Sequence, residues 1–139
     1  MYKYYVGAKY IGVKYRMLEP AETVKIFQKQ PTIHTFSSGQ IIFAEGEPGD
    51  CMYGILNGEV EIFVDGKVVE TIQKGDVFGV GALVVPEHTR ASTAVAKTDC
   101  QLAFLDQNGF LFAVQETPMF ALLVMRSYSE RLRALKRSI

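Results

Sequence analysis

The chain has no tryptophan, two cysteines and two histidines among its 139 residues. Each scarcity removes a class of chemistry. Cys51 and Cys100 form no C-x-x-C pair and no disulfide framework, so they read as small buried side chains of a reducing compartment. Together with His34 and His88 they supply too few ligands, too widely spaced, for a zinc or iron–sulfur site. Neither histidine sits beside a nucleophile in a recognisable motif, which argues against an enzyme; no metal or cofactor is expected. Excess charge of either sign is lacking too. Lys+Arg and Asp+Glu number 15 each, which removes the net-charge argument for nucleic acid or an anionic membrane. No apolar run approaches the roughly 20 residues of a membrane span. Lysines and tyrosines interrupt the opening MYKYYVGAKYIGVKY, so it carries no signal-peptide core. A cytoplasmic protein is expected. There is no internal repeat and no low-complexity linker.

What is present suits one folded domain: 48% of residues are hydrophobic, which argues against disorder. Residues 1–19 read as a Tyr/Lys-rich extension and 20–139 as the domain. Residues 1–17 hold five of the seven tyrosines and no acid. Strands are expected at Tyr2–Val6 and over Ile11, Val13, Tyr15 and Met17. Such basic-aromatic interleaving suits nucleic acid, although tyrosines covering a domain edge are its commoner cause. Pro20 opens a helix with Glu19 and Glu22 at its N-terminus; its inward face is Val24 with Phe27, or Ile26 with Phe27, and Gln30-Pro31 stops it.

From Ile33 the pattern turns to β. His34 reads as a strand residue before the Ser37–Gln40 turn, and Ile41–Phe43 as a short buried strand. The long turn Glu45–Asp50 precedes a strand over Met52–Leu56. Asn57-Gly58 and Asp65-Gly66 flank the alternating Glu59–Val64 and read as hairpin turns. Lys67–Ile72, Ala91–Ala96 and Gln101–Leu105 complete the expected strands. Turn signals recur every 8–10 residues, as in an all-β roll or sandwich. The roll is expected over about 33–105 and helices over about 106–139. Asp106-Gln107-Asn108 caps a short helix, and Thr117-Pro118 fits Ncap and N1 of a longer one. The long helix offers Leu122, Met125, Tyr128, Leu132, Leu135 and Ile139 as an apolar stripe. Arg126, Glu130, Arg131, Arg133, Lys136 and Arg137 form the other face, read as solvated, with a polyanion site as the alternative.

The stretch Gly75–Ala96, GDVFGVGALVVPEHTRASTAVA, draws these pieces together. Glycines expose backbone N–H groups and permit close approach. Arg90 supplies a planar, always-charged fork suited to phosphate or carboxylate. The stretch reads as an anion cradle, or as two ordinary turns and a surface arginine. His88 lies in its loop, as a ligand contact or as a plain exposed histidine.

The ordered series Phe36-Ser37-Ser38-Gly39-Gln40-Ile41-Ile42-Phe43-Ala44-Glu45-Gly46-Glu47-Pro48-Gly49-Asp50, Met52-Tyr53-Gly54-Ile55-Leu56-Asn57-Gly58-Glu59-Val60, Gly75-Asp76-Val77-Phe78-Gly79 and Arg90-Ala91-Ser92-Thr93-Ala94-Val95-Ala96 resembles the cyclic nucleotide-binding domain family. The resemblance covers roughly residues 20–137. It implies a mainly β fold, a double-stranded β-helix or jelly-roll with an N-terminal helix and C-terminal lid helices. It also implies that the Gly75–Ala96 cradle is a phosphate-binding cassette. The ligand would lie against Phe78, Gly79, Val80, Gly81, Ala82 and Leu83, with Arg90, Ala91 and Ser92 completing the site. Gly79 and Arg90 are eleven positions apart, a spacing the family uses. Base contacts would come from the last helix, near Leu135 or Lys136.

Two positions depart from the family pattern. Its acid after Phe-Gly accepts a hydrogen bond from the ribose 2′-hydroxyl; here Val80 stands there. Its small hydroxyl residue after the arginine is Ala91 here, and Ser92, read as the next residue of a strand, faces the other way. An unpaired ribose hydroxyl costs roughly 1–3 kcal/mol, and the two losses together turn a micromolar site into one of order 0.1 mM or weaker. Val80→Glu with Ala91→Ser is expected to strengthen cyclic AMP binding.

These features imply a regulatory module binding a small ligand, cyclic AMP, cyclic GMP or another small anion. The alternative is a degenerate domain working through protein contact, as a homodimer along Leu122–Ile139 or with another protein. Arg90 would then pair with an acid such as Glu45 or Glu47. The chain stops at Ile139, so no DNA-reading element is expected after the long helix.

Overall fold

The computed structural model describes residues 18–139. The strands expected at Tyr2–Val6 and around Ile11–Met17 lie outside them. Helix α1 spans Pro20–Phe27. Proline is suited to the first helical position, and the N–H of Glu19 donates to Glu22 Oε1 at 2.9 Å. Val24 is its buried apolar residue, with Ala21 and Thr23, whereas Ile26 is exposed.

Eight strands follow: β1 (His34–Phe36), β2 (Ile41–Phe43), β3 (Cys51–Asn57), β4 (Val60–Val64), β5 (Lys67–Ile72), β6 (Val77–Phe78), β7 (Thr93–Ala96) and β8 (Cys100–Asp106). The short helix α2 (Gly81–Val84) lies between β6 and β7, and α3 (Gln107–Glu116) and α4 (Met119–Arg137) end the chain. The strands form two antiparallel sheets, ordered β1-β8-β3-β6 and β2-β7-β4-β5. Mainly β with flanking helices is thus the fold, as expected. The short β2 is less buried than expected, because Ile41 is exposed and only Phe43 reaches the core.

Asp65-Gly66 is a hairpin turn joining the paired β4 and β5, and both residues have positive φ, 50° and 76°. Asn57-Gly58 is not. It joins β3 in one sheet to β4 in the other. Gly58, at φ 94°, bends the chain against Asp99 and Cys100, and that contact carries it across the sandwich instead of back along β3.

Alternation along β3 and β8 builds two cores. Tyr53, Ile55 and Leu102 join Phe43, Val60, Ile62, Ile72, Phe78, Ala94 and Ala96 between the sheets. Met52, Ala103 and Leu105 join Val24, Val77, Val80, Leu83, Ala113, Phe120 and Val124 beneath the helices. A strand covered on both faces loses its polar alternation, which is why β3 reads as an apolar run.

Asp106 caps α3, its Oδ1 accepting from the Gly109 N–H at 2.7 Å. The chain then turns by 116° into α4, which starts one residue later than expected: Thr117 ends α3 and Pro118 is the N-cap of α4. No single helix among the described residues is long and apolar enough to cross a membrane. The docked face of α4 also differs from the expected stripe. Leu122, Met125 and Leu132 are 50%, 58% and 51% exposed, while Phe120, Val124 and Ser127 are buried. Arg131, expected on the solvated face, turns inward with them, and its side chain is only 18% exposed. A stripe containing a serine and an arginine is invisible to hydrophobic periodicity.

Gly54 lets α1 approach β3. A Cβ there would lie 2.7 Å from the Cα of Ala21, closer than packing allows. Gly54→Ala should lower the unfolding free energy by about 1–3 kcal/mol through overpacking, measurable as a lower urea midpoint at unchanged m-value.

Candidate ligand-binding site

Beyond β6 the chain reverses at Gly79, whose φ of 82° is in the left-handed region, and enters α2. Four residues align too few peptides for a dipole of consequence. The first N–H groups of α2 nevertheless lack internal helical partners and act as individual donors. Across from them, the Glu45–Asp50 turn is laced to the segment before β7. Gly46 N–H donates to Arg90 O at 2.8 Å, Arg90 N–H to Glu47 O at 2.8 Å, and Gly49 N–H to His88 O at 2.8 Å. These bonds fix the backbone of Arg90 and send its side chain inward.

Arg90 is 6% exposed. Nη1 donates to Gly79 O at 3.0 Å and Nη2 to Cys51 O at 2.8 Å, and the guanidinium carbon lies 4.1 Å from the centroid of the Phe43 ring. Nε is buried and has no hydrogen-bond partner. No carboxylate among the described residues pairs with it. Neither expected alternative partner pairs with it: Glu47 Oε1 accepts from the Ala44 N–H at 2.7 Å, closing its own turn, and Glu45 makes no ion pair with the arginine. The Cys51 sulfur is 3.9 Å from Nη2. Burial raises the Cys51 pKa despite the nearby arginine, so at neutral pH it remains a thiol and does not neutralise the guanidinium.

Arg90, Gly79, Gly81 and Ala82 meet Phe78, Ala91 and Ser92 around a cavity of about 140 Å³. Seven of the nine expected site residues are therefore gathered. Val80 and Leu83 are not on its wall; their side chains belong to the core beneath the helices. Ala91 and Ser92 precede β7 rather than opening it, so strand alternation does not separate them, and both line the cavity. Leu135 and Lys136 do not line it; Tyr128 and Arg131 do. His88 is exposed, and its Nδ1 lies 2.8 Å from Ala82 O, bracing the loop outside the cavity.

Sequence reasoning missed five contributors. Phe43, Ile62 and Glu70 complete the wall with Tyr128 and Arg131. Gly49 lies behind them, and a Cβ there would lie 2.6 Å from the guanidinium carbon of Arg90. The three-residue spacing of Tyr128 and Arg131 was a usable signal, masked by the leucines beside it.

Arg131 is the second cation, and it is neutralised. Nε donates to Glu70 Oε1 at 2.9 Å, and Nη1 to Val77 O at 2.7 Å and Ser127 Oγ at 3.1 Å. Burial works against its charge, and the hydrogen bond to Glu70 together with the electrostatic attraction of Tyr128, Glu70 and Asp76 outweighs it, so its pKa stands above the usual value. A larger, open groove of about 500 Å³ runs past Phe36, Asn57, Asp99 and Gln101. It lies at the far end of β3 from Cys51, and no cation lines it. Among the described residues no group of three His, Cys, Asp or Glu side chains could hold a metal ion.

A family model described as the cyclic nucleotide-binding domain matches residues 33–117, which spans both sheets, the cassette and α3. The chain belongs to the cyclic nucleotide-binding domain family. Among curated relatives, the cAMP-dependent protein kinase regulatory subunit of Emericella nidulans is 39% identical over 95 residues, covering 67% of this chain and 23% of that protein. The chain thus spans less than a quarter of that relative's length. Among solved structures, cAMP-bound PfPKA-R aligns with a TM-score of 0.66 and 27% identity, covering 86% of this chain and 44% of that one. The Thermus thermophilus catabolite activator protein aligns with a TM-score of 0.69 at 22% identity, covering 88% and 58%, a likeness of fold.

The position of Val80 in this cyclic nucleotide-binding domain changes one expectation. Its side chain packs with Val24, Met52, Phe120 and Val124, so Val80→Glu buries an unpaired carboxylate instead of offering one to a ribose. The substitution should cost about 3 kcal/mol or more in chemical denaturation. Ala91→Ser, at an exposed position, should stay within about 0.5 kcal/mol of the unsubstituted protein.

Proposed function

We propose that this domain is a regulatory module that binds a small anion of the cyclic nucleotide class, the ligand's phosphate supplying the counter-charge that Arg90 lacks. One observation carries the reading: a buried guanidinium with an unpartnered Nε and no carboxylate beside it. Burying an unpaired charge costs several kcal/mol, and an anion arriving next to Arg90 and the first amides of α2 recovers part of that cost. A charge-assisted hydrogen bond there is worth roughly 1.5–3 kcal/mol. Relatives described as cAMP-dependent protein kinase regulatory subunits support cyclic AMP as the first ligand to try. The absence of an acid at Val80 and of a hydroxyl at Ala91 implies altered ribose contacts and weak affinity, of order 0.1 mM.

The domain is read as a sensor rather than a catalyst: its output is a population shift in α4, which contacts the cavity through Tyr128 and Arg131. Isothermal titration with cyclic AMP and cyclic GMP tests this. Binding in the ~0.1 mM range should be lost in Arg90→Ala. Equal affinity in that variant would show that the arginine is not the anion's partner, and silence of the unsubstituted protein at millimolar ligand would sink the cyclic nucleotide reading.

A second reading rests on a different observation, the exposed stripe Leu122, Met125 and Leu132 of α4, with Leu111 and Phe112 also exposed on α3. Exposed apolar side chains along a helix suit protein contact, including helix pairing in a homodimer. The reading expects a dimer by multi-angle light scattering that Met125→Asp with Leu132→Asp converts to monomer; a monomeric unsubstituted protein excludes the homodimer.

A further inference from the structure

The face of α4 that docks on the roll enters the ligand cavity itself. The hydroxyl of Tyr128 accepts the N–H of Val80 at 3.2 Å, an amide of the cassette. Burial raises the Tyr128 pKa, so the phenol stays neutral there. Arg131 lies with its guanidinium carbon 4.2 Å from the Tyr128 ring centroid, and it ties the helix to Glu70 of β5 and to the Val77 carbonyl of β6. Ser127 adds a third tie, donating to Asp76 Oδ1 at 2.6 Å. With these contacts made, the cavity measures about 140 Å³, below the ~300–1,000 Å³ of ordinary small-molecule sites.

We propose that α4 is a built-in competitor for the ligand site: Tyr128 and Arg131 fill part of the space a cyclic nucleotide needs, and Glu70 is the catch that holds them there. The proposal rests on the reading of the Arg90 cavity as the ligand site. Its sign is what distinguishes it. A helix that only closes over bound ligand adds contacts, so loosening it weakens binding. A helix that occupies the site in advance reduces the binding-competent fraction, and loosening it strengthens binding by raising that fraction. The chemistry favours the second. The Val80 amide and the guanidinium of Arg131 have partners within the protein, and each partner must be given up before a ligand reaches them. Arg90 lines the same cavity, and its Nε has none.

Two variants test the catch without disturbing Arg90. Glu70→Gln removes the charge that holds Arg131, and Tyr128→Phe removes the acceptor of the Val80 amide. Arg133→Gln, on the exposed side of α4, is the control. The first readout needs no ligand: amide hydrogen exchange resolved by NMR. The Val80 amide should exchange about tenfold faster in both variants, with the amide of the buried Leu102 in β8, away from the cavity wall, unchanged and the control unaffected. The second is calorimetry with cyclic AMP, which should bind both variants about tenfold more tightly than the unsubstituted protein. Unchanged Val80 exchange in Glu70→Gln and Tyr128→Phe overturns the proposal whatever happens to affinity. Faster exchange with weaker binding also overturns it, because Glu70 and Tyr128 would then be ligand contacts. Faster exchange with no cyclic AMP binding to any of the proteins refutes the cyclic nucleotide reading, and it supports the helix as the standing occupant of the cavity.

Discussion

Arg90 is held inside the roll by two carbonyl oxygens and one aromatic face, and no carboxylate among the described residues pairs with it. Much of the neighbouring geometry follows from accommodating that group. Gly49 has no side chain because the guanidinium passes through the space one would fill, and a Cβ at Gly79 would lie 2.9 Å from Nη1. The Glu45–Asp50 turn is sewn to the Arg90 backbone by main-chain bonds, so the charge cannot swing out to water without opening both. A buried cation without a counter-ion opposes folding. Under the proposed reading, its retention beside the start of α2 is a case of chemistry kept at the expense of stability.

The other cation, Arg131, is managed in the opposite way. Glu70, the Val77 carbonyl and Ser127 satisfy it, and Asp76 stands 4.0 Å away. The two arginines line one small cavity and come from segments that answer to different cores. Arg90 leans on Phe43 of the core between the sheets. Arg131 rides on a helix whose Phe120 and Val124 belong to the core beneath α1. Strands β3 and β8 contribute side chains to both cores, so the cavity lies where two packing units meet.

Much of the architecture was legible in the chain. The order of short strands, the Asp65-Gly66 hairpin, the Asp106 cap and the Pro20 start all rest on local chemistry: positive φ, an acceptor at an N-cap, a missing N–H. Asn57-Gly58 defeated the same logic, because a left-handed glycine specifies a bend and not the partner of the strand that follows. Gly79 and Arg90 were read as parts of an anion cradle; the structure brings them together, with the Gly79 carbonyl accepting from the arginine. Val80 and Leu83 were misplaced because a four-residue helix shows one face to the cavity and the other to the core, a distinction spacing alone does not draw. The docked face of α4 was misjudged for a related reason. Leu122, Met125 and Leu132 have the right period, but of that stripe it is Tyr128 that docks, and Ser127 and Arg131 dock beside it with polar atoms that find partners on the roll.

The sheet order carries a consequence for how this domain is made. In the sheet β1-β8-β3-β6, the strand β8 sits between β1 and β3, yet it is the last strand in the chain. His34 pairs with Leu102, and Ile41 of the other sheet pairs with Val95. Among the described strands, until β8 leaves the ribosome β1 has no neighbour and β3 has only the two-residue β6 beside it. The amphipathic hairpin β4–β5 can close early; the rest waits. Contacts this distant in sequence make folding slow relative to helical domains of the same size. Exposed strand edges are where such a waiting chain would associate, and charged residues flanking strands oppose that association.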